Sequence, residues 1–256
     1  DKNTERDNLF AITYFKEAIR KDSYYVPAIV SLANTQVENY RQGWDQSDKI
    51  LDEAKRYYNK ALNIDSTNTS TIAGLGVISD LSGKPDEAIK FLLKAYDKDK
   101  NNAVALTSLA FIYLFELGEP AKGLMYLKKL QEVEPHDWLL MMNIGVGFAQ
   151  LKNYPEALRY FQKSSQFNQK HEWGPYSLAY TYERLEQFDS AIYYYKNALQ
   201  KNLLNSKTYE GLISVLLVTR KYAQAESIMI AGLRYLPNDH NILYGLGITY
   251  QFKNKK

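Results

Sequence analysis

Along the chain, apolar residues return at i, i+3 and i+4 in short stretches divided by polar turns, a spacing that predicts a series of amphipathic helices. The clearest copy runs from Leu178 to Leu203. It sets Leu178, Ala179 and Tyr182 on one short helix and Ala191, Tyr195 and Ala198 on the next, with small residues where the two must touch. The small residue of the first helix recurs as Ala33, Gly76, Ala110, Gly145, Ala179, Ile213 (an exception in size) and Gly247, in steps of 43, 34, 35, 34, 34 and 34. The residue opening the second helix recurs as Ala11, Ala54, Ala88, Gly123, Ala157, Ala191 and Ala225, in the same six steps. Agreement of two series in every interval, irregular ones included, establishes an internal repeat.

Four residues further on, each second helix carries a large apolar group: Phe15, Tyr58, Leu92, Leu127, Phe161, Tyr195 and Met229. Three beyond that stands a mostly small one: Ala18, Ala61, Ala95, Leu130, Ser164, Ala198 and Gly232. Large beside small on one helical face is how antiparallel helices seat against each other. Repeats of 34 residues with Leu109-Ala110-Tyr113, Ile144-Gly145-Phe148, Ala157, Phe161 and Leu246-Gly247-Tyr250 resemble the tetratricopeptide repeat, TPR.

The resemblance implies an all-α fold, a right-handed TPR superhelix of stacked antiparallel helix pairs, and hence a single solenoid spanning residues 1–256. Its expected units are a half repeat 8–25, repeats 26–68, 69–102, 103–137, 138–171, 172–205 and 206–239, and a half repeat 240–252. The unit 26–68 is nine residues longer than its 34-residue neighbours; the excess is expected as a bulge at Arg41–Asp48. The one extra residue of 103–137 is expected near Gly118-Glu119-Pro120. Opening and closing on half repeats, the chain reads as a fragment whose uncovered ends promote self-association. Over the first third, Ala11, Tyr14-Phe15, Ala18, Tyr25, Leu32-Ala33 and Ala54 to Asp65 are similar to the TPR regions of bacterial signalling proteins fused to an adenylate cyclase, a protein kinase or a winged-helix regulator. That narrower resemblance implies a regulatory arm acting on an upstream catalytic or DNA-binding domain, as the alternative to a free-standing scaffold.

Composition narrows the chemistry. The net charge of +3 is supplied by Lys253, Lys255 and Lys256, and both signs intersperse elsewhere, so a stripe for nucleic acid is not expected. No apolar run is long enough for a membrane span, and the absence of cysteine excludes disulfides and thiolate chemistry while leaving cytoplasm and periplasm both open. His136, His171 and His240 fall at junctions between units and read as solvated loop residues rather than converging metal ligands. The acid pairs Asp52-Glu53 and Asp86-Glu87 read as complements to helix dipoles. Without a phosphate loop or nucleophile motif, no catalytic residue, cofactor or metal is expected.

Binding is the remaining function, and the TPR resemblance implies where. Ligand-facing residues of that family lie six and three before the small residue and one, four and five after it. These offsets select Val104, Thr107, Phe111, Leu114 and Phe115, then Leu139, Met142, Val146, Ala149 and Gln150. They continue through Trp173, Tyr176, Tyr180, Glu183 and Arg184, then Lys207, Glu210, Ser214, Leu217 and Val218, and end at Asn241, Tyr244, Ile248, Gln251 and Phe252. A groove of this composition suits a peptide or partner segment, with Phe111, Phe115, Met142, Trp173, Tyr176, Tyr180, Glu183, Arg184 and Tyr244 expected to bind it. The TPR carboxylate clamp for chaperone tails is not expected: Asn34 fits one place, but Val30 stands where a lysine is needed, followed by Ser70, Ala73 and Gly74.

Overall fold

The computed structural model describes residues 4–253; Lys255 and Lys256 lie outside that range, and the side chains of Asp48 and Lys253 are not described. Its described residues form fourteen α-helices and no strand. The chain falls into two compact units, residues 1–133 and 134–256.

The first unit holds α1 (Glu5–Lys21), α2 (Val26–Arg41), α3 (Asp48–Ile64), α4 (Thr69–Leu81), α5 (Pro85–Lys98), α6 (Ala103–Phe111) and α7 (Pro120–Val133). In it α2 packs on α3, α4 on α5 and α6 on α7, and the first helices α2, α4 and α6 also touch in succession. The second holds α8 (Trp138–Gln150), α9 (Tyr154–Phe167), α10 (Trp173–Arg184), α11 (Phe188–Lys201), α12 (Ser206–Val218), α13 (Tyr222–Gly232) and α14 (His240–Lys253), paired α8 with α9, α10 with α11 and α12 with α13.

The small residues are small because a large neighbour fills their space. A Cβ on Gly145 would lie 2.5 Å from the Phe161 ring, and one on Gly76 would lie 2.7 Å from Leu92, so each knob seats on the first helix of its own pair. The same knobs also reach forward. A Cβ on Gly74 would meet Tyr58 at 2.3 Å, one on Gly211 Tyr195 at 2.4 Å, and one on Gly245 Met229 at 2.8 Å. A buried large residue held between two first helices at such distances is what ties one pair to the next.

The first helix of each complete pair, from α2 to α12, is followed by a residue in left-handed backbone: Gly43, Gly83, Gly118, Lys152, Glu186 and Arg220, with φ between 57° and 75°. These positions locate the irregular residues. Gly43 lies ten places after Ala33, against seven for Gly83 after Gly76, so three of the nine extra residues lengthen α2 to Arg41 and the other six follow Gly43. The insertion is thus partly helix, where a bulge alone was expected. The odd residue of the 35-residue repeat is not in the Gly118 turn either. It is absorbed by one π-helical turn, Ile112–Glu116, that continues α6, closed by Leu117 N donating to Ile112 O at 3.0 Å.

Helix starts carry their own periodic signal. Asn68, Asn102, Asp137, Asn205 and Asp239 each accept a backbone N–H through the side chain and cap α4, α6, α8, α12 and α14. In that series position 171 is a histidine, and its Nδ1 accepts from Trp173 N at 3.3 Å. His171 therefore serves a helix start instead of standing free in solvent. Asp52-Glu53 also differ from expectation: α3 begins at Asp48, placing them beyond its first turn, and Glu53 accepts from the buried Gln36 amide at 2.9 Å.

Candidate functional site: an apolar cleft in the second unit

An apolar cleft in the second unit is walled by the first helices α8 and α10 and floored from α9. Asp137 starts α8 by accepting from Leu140 N at 2.7 Å; the helix stops at Lys152, and Asn153 then caps α9. Phe161 of α9 seats on Gly145, which brings α8 close and leaves the Phe161 edge at the base of the opening. The cleft encloses about 380 Å³ and is lined by Val146, Ala149 and Gln150 of α8, Lys152, Tyr154 and Phe161, and Tyr176, Ser177, Tyr180 and Arg184 of α10. That volume lies within the range of small-ligand pockets and accommodates side chains of a bound segment.

Six of these ten, Val146, Ala149, Gln150, Tyr176, Tyr180 and Arg184, are residues the repeat offsets select. Tyr180 stands 48% exposed, its ring open to an incoming partner. Tyr176 is half-buried, meeting Tyr195 edge-on at 6.0 Å, and burial with Tyr180 beside it pushes its phenol above the ordinary value. The Arg184 guanidinium is bonded by the Tyr154 phenol, which raises its pKa further, so its charge is fixed at the mouth.

Other expected binding residues lie elsewhere. Met142 is 4% exposed and packs beneath the surface, its sulfur receiving the Ser177 hydroxyl at 3.5 Å, so it supports the wall without presenting a face. Leu114 is buried over Gly123, the π-turn having rotated it inward. Glu183 turns away from the cleft and accepts from the Tyr195 hydroxyl at 2.6 Å; burial and this carboxylate drive that phenol far above its usual range. Trp173 joins a separate cluster, 4.7 Å from His171 and 6.3 Å from Trp138, with His171 stacked on Trp138 at 5.0 Å. Phe111 and Phe115, both exposed and 4.7 Å apart, belong to the first unit, and Tyr244 is 73% exposed on α14. Asn34, the one residue that fits a clamp, accepts from the Tyr58 hydroxyl at 2.6 Å.

Four contributors escaped the offsets, one of them Phe161, which the second-helix series of large residues places in the helix interface. Tyr154, Ser177 and Lys152 line the cleft from a second helix, a neighbouring position and a turn; the Lys152 turn was readable from Lys152-Asn153-Tyr154-Pro155, but its direction was not. Among the described residues no three His, Cys, Asp or Glu side chains converge to hold a metal, and no helix is long and apolar enough to cross a membrane.

Residues 109–169, which contain the α8 wall and the α9 floor of this cleft, match the family profile of the tetratricopeptide repeat. The same architecture recurs in solved structures. The chain superposes with a TM-score of 0.69 on a structure of the anaphase-promoting-complex hetero-tetramer Cut9–Hcn1, at 17% identity over 95% of this chain and 46% of that one. The fold is that of the TPR solenoids. A second TPR structure, YrrB, superposes with a TM-score of 0.58 at 22% identity over 73% of this chain and 92% of its own. Among curated proteins, the chain is 26% identical over 164 residues to mouse N-alpha-acetyltransferase 16, NatA auxiliary subunit, spanning 63% of this chain but 18% of that relative's length.

Proposed function

We propose that this TPR chain is a non-catalytic interaction scaffold that holds a peptide or partner segment in the cleft between α8 and α10. The observation that carries the reading is the union, in one opening, of apolar walls with the exposed Tyr180 ring and the charged Arg184 head. Aromatic and arginine side chains at a concave, partly desolvated surface are the usual energetic centre of a peptide interface. Of its structural neighbours, YrrB is described as having an unusual peptide-binding site, a property of that protein that makes peptide capture a natural first assay here.

The test is capture of synthetic decapeptides by the 256-residue chain, read by fluorescence anisotropy. Binding that Tyr180→Ala removes without changing the melting temperature supports the reading, and failure of every peptide pool to bind overturns it.

A further inference from the structure

The cleft's charge points to the kind of segment it takes. Two of its lining residues, Lys152 and Arg184, are cationic, and none is acidic. The nearest acid on α10, Glu183, is committed to Tyr195, and its charge, with that of Glu210, is felt at Tyr176. The cations stand by the ends of α8 and α10; the charge of Glu183 is felt at Arg184 too, but its carboxylate accepts from Tyr195 and does not line the cleft.

Lysine at position 152 is not a requirement of the turn. The equivalent left-handed positions hold Gly83, Gly118, Glu186 and Arg220, so this backbone accepts no charge, negative charge or positive charge. Both cations complement helix C-termini, an effect of about 0.3–1 kcal/mol, but that role does not require them to share one opening. Arg184 has five donors in a planar fork and the Tyr154 phenol occupies only part of it, leaving a geometry that suits a carboxylate.

Resting on the peptide reading above, we propose that the occupant is an internal peptide segment in which an apolar side chain neighbours an aspartate or glutamate. The apolar group enters between Tyr176, Tyr180 and Val146, and the carboxylate is held at Lys152 and Arg184.

Three pools of acetylated, amidated decapeptides test this, each with a central Leu or Phe, flanked respectively by Asp/Glu, Asn/Gln or Lys. Blocked ends remove terminal charges, so only side-chain carboxylates differ. The acidic pool is expected to bind the full chain about tenfold tighter than the amide pool at low salt, with the margin shrinking as salt screens the pair. In a Lys152→Glu, Arg184→Glu double variant the preference should pass to the lysine pool. If that variant does not melt cooperatively, Lys152→Gln with Arg184→Gln replaces it, and the acidic preference should vanish. Equal affinity of the acidic and amide pools for the unmodified chain overturns the proposal while leaving peptide capture standing; failure of all three pools overturns both.

Discussion

At the scale of single residues, the fold depends on close approaches that tolerate no added atom. Gly211 faces the Tyr195 ring, where a Cβ would stand at 2.4 Å, and Tyr195 is anchored at its hydroxyl by Glu183, so the ring has little freedom to retreat. Gly211→Ala and Ala191→Leu should each lower stability by about 1–3 kcal/mol through overpacking. Asp86→Asn removes only a dipole contact in the first turn of α5, worth about 0.3–1 kcal/mol. Chemical denaturation of the three variants checks the order, and a greater loss from Asp86→Asn would misplace the helix interface. Asp80 of α4 and Glu116 of the π-turn form the other sensitive pair. Burial raises the Asp80 carboxyl, Glu116 is raised by burial and by the Asp80 charge, and the hydrogen bond with Glu116 and the Arg41 charge only partly offset the rise at Asp80. A raised folded-state pKa means that the folded chain holds protons more tightly than the unfolded one. The associated stability is complete below the ordinary values of 3.8 and 4.5 and is lost as pH climbs through the raised ones. Asp80→Asn should therefore flatten the fall of melting temperature above that range; an unchanged slope would remove the pair from the account.

At the scale of elements, the helices and their pairing were legible because small and large residues recur in step, a signal that only the repeat of Ile213 weakens. Residues such as Gly145 and Phe161 announced their partnership through spacing alone. The π-turn was not legible. Its sequence Ile112–Glu116 is ordinary helix, and only the 35-residue step betrayed an extra residue, without saying whether helix or turn would absorb it. Left-handed turn residues were half legible: Gly43, Gly83 and Gly118 signal themselves, whereas Lys152, Glu186 and Arg220 adopt the same backbone against their intrinsic preference. Left-handed backbone costs an ordinary residue about 1 kcal/mol, so Glu186→Gly or Arg220→Gly should raise stability by up to about that amount. Thermal melts check this, and destabilisation by both would mean that the side chains contribute more than the strain removes.

At the scale of the whole molecule, the sequence located the candidate cleft by helix face but not by depth. Offsets from the small residue brought Tyr176, Tyr180 and Arg184 to one cleft, yet the same rule chose Met142 and Glu183, which packing and a tyrosine hydroxyl had claimed. It placed Trp173 with them although the substitution of His171 for an Asn or Asp cap draws that indole into a cluster with Trp138. The Met142 and Trp173 outcomes depend on contacts between repeats, and that of Glu183 on a hydrogen bond inside its own helix pair, none of which the spacing of small and large residues encodes. Elsewhere, Leu9, Phe10 and Tyr14 on α1 and Leu243, Tyr244 and Phe252 on α14 leave apolar surface in water. Surfaces of that kind commonly mark contacts, so sedimentation of the 256-residue chain should show concentration-dependent self-association, and a strict monomer at high concentration would contradict it. The central claim is that the α8–α10 cleft captures a peptide, and the affinity of the best-binding decapeptide for Tyr180→Ala beside Trp173→Ala tests it most directly. The account predicts that Tyr180→Ala weakens binding about thirtyfold, the consequence of losing an anchor worth about 2 kcal/mol, with the melting temperature unchanged and Trp173→Ala far milder. Undiminished affinity in a folded Tyr180→Ala chain would contradict it.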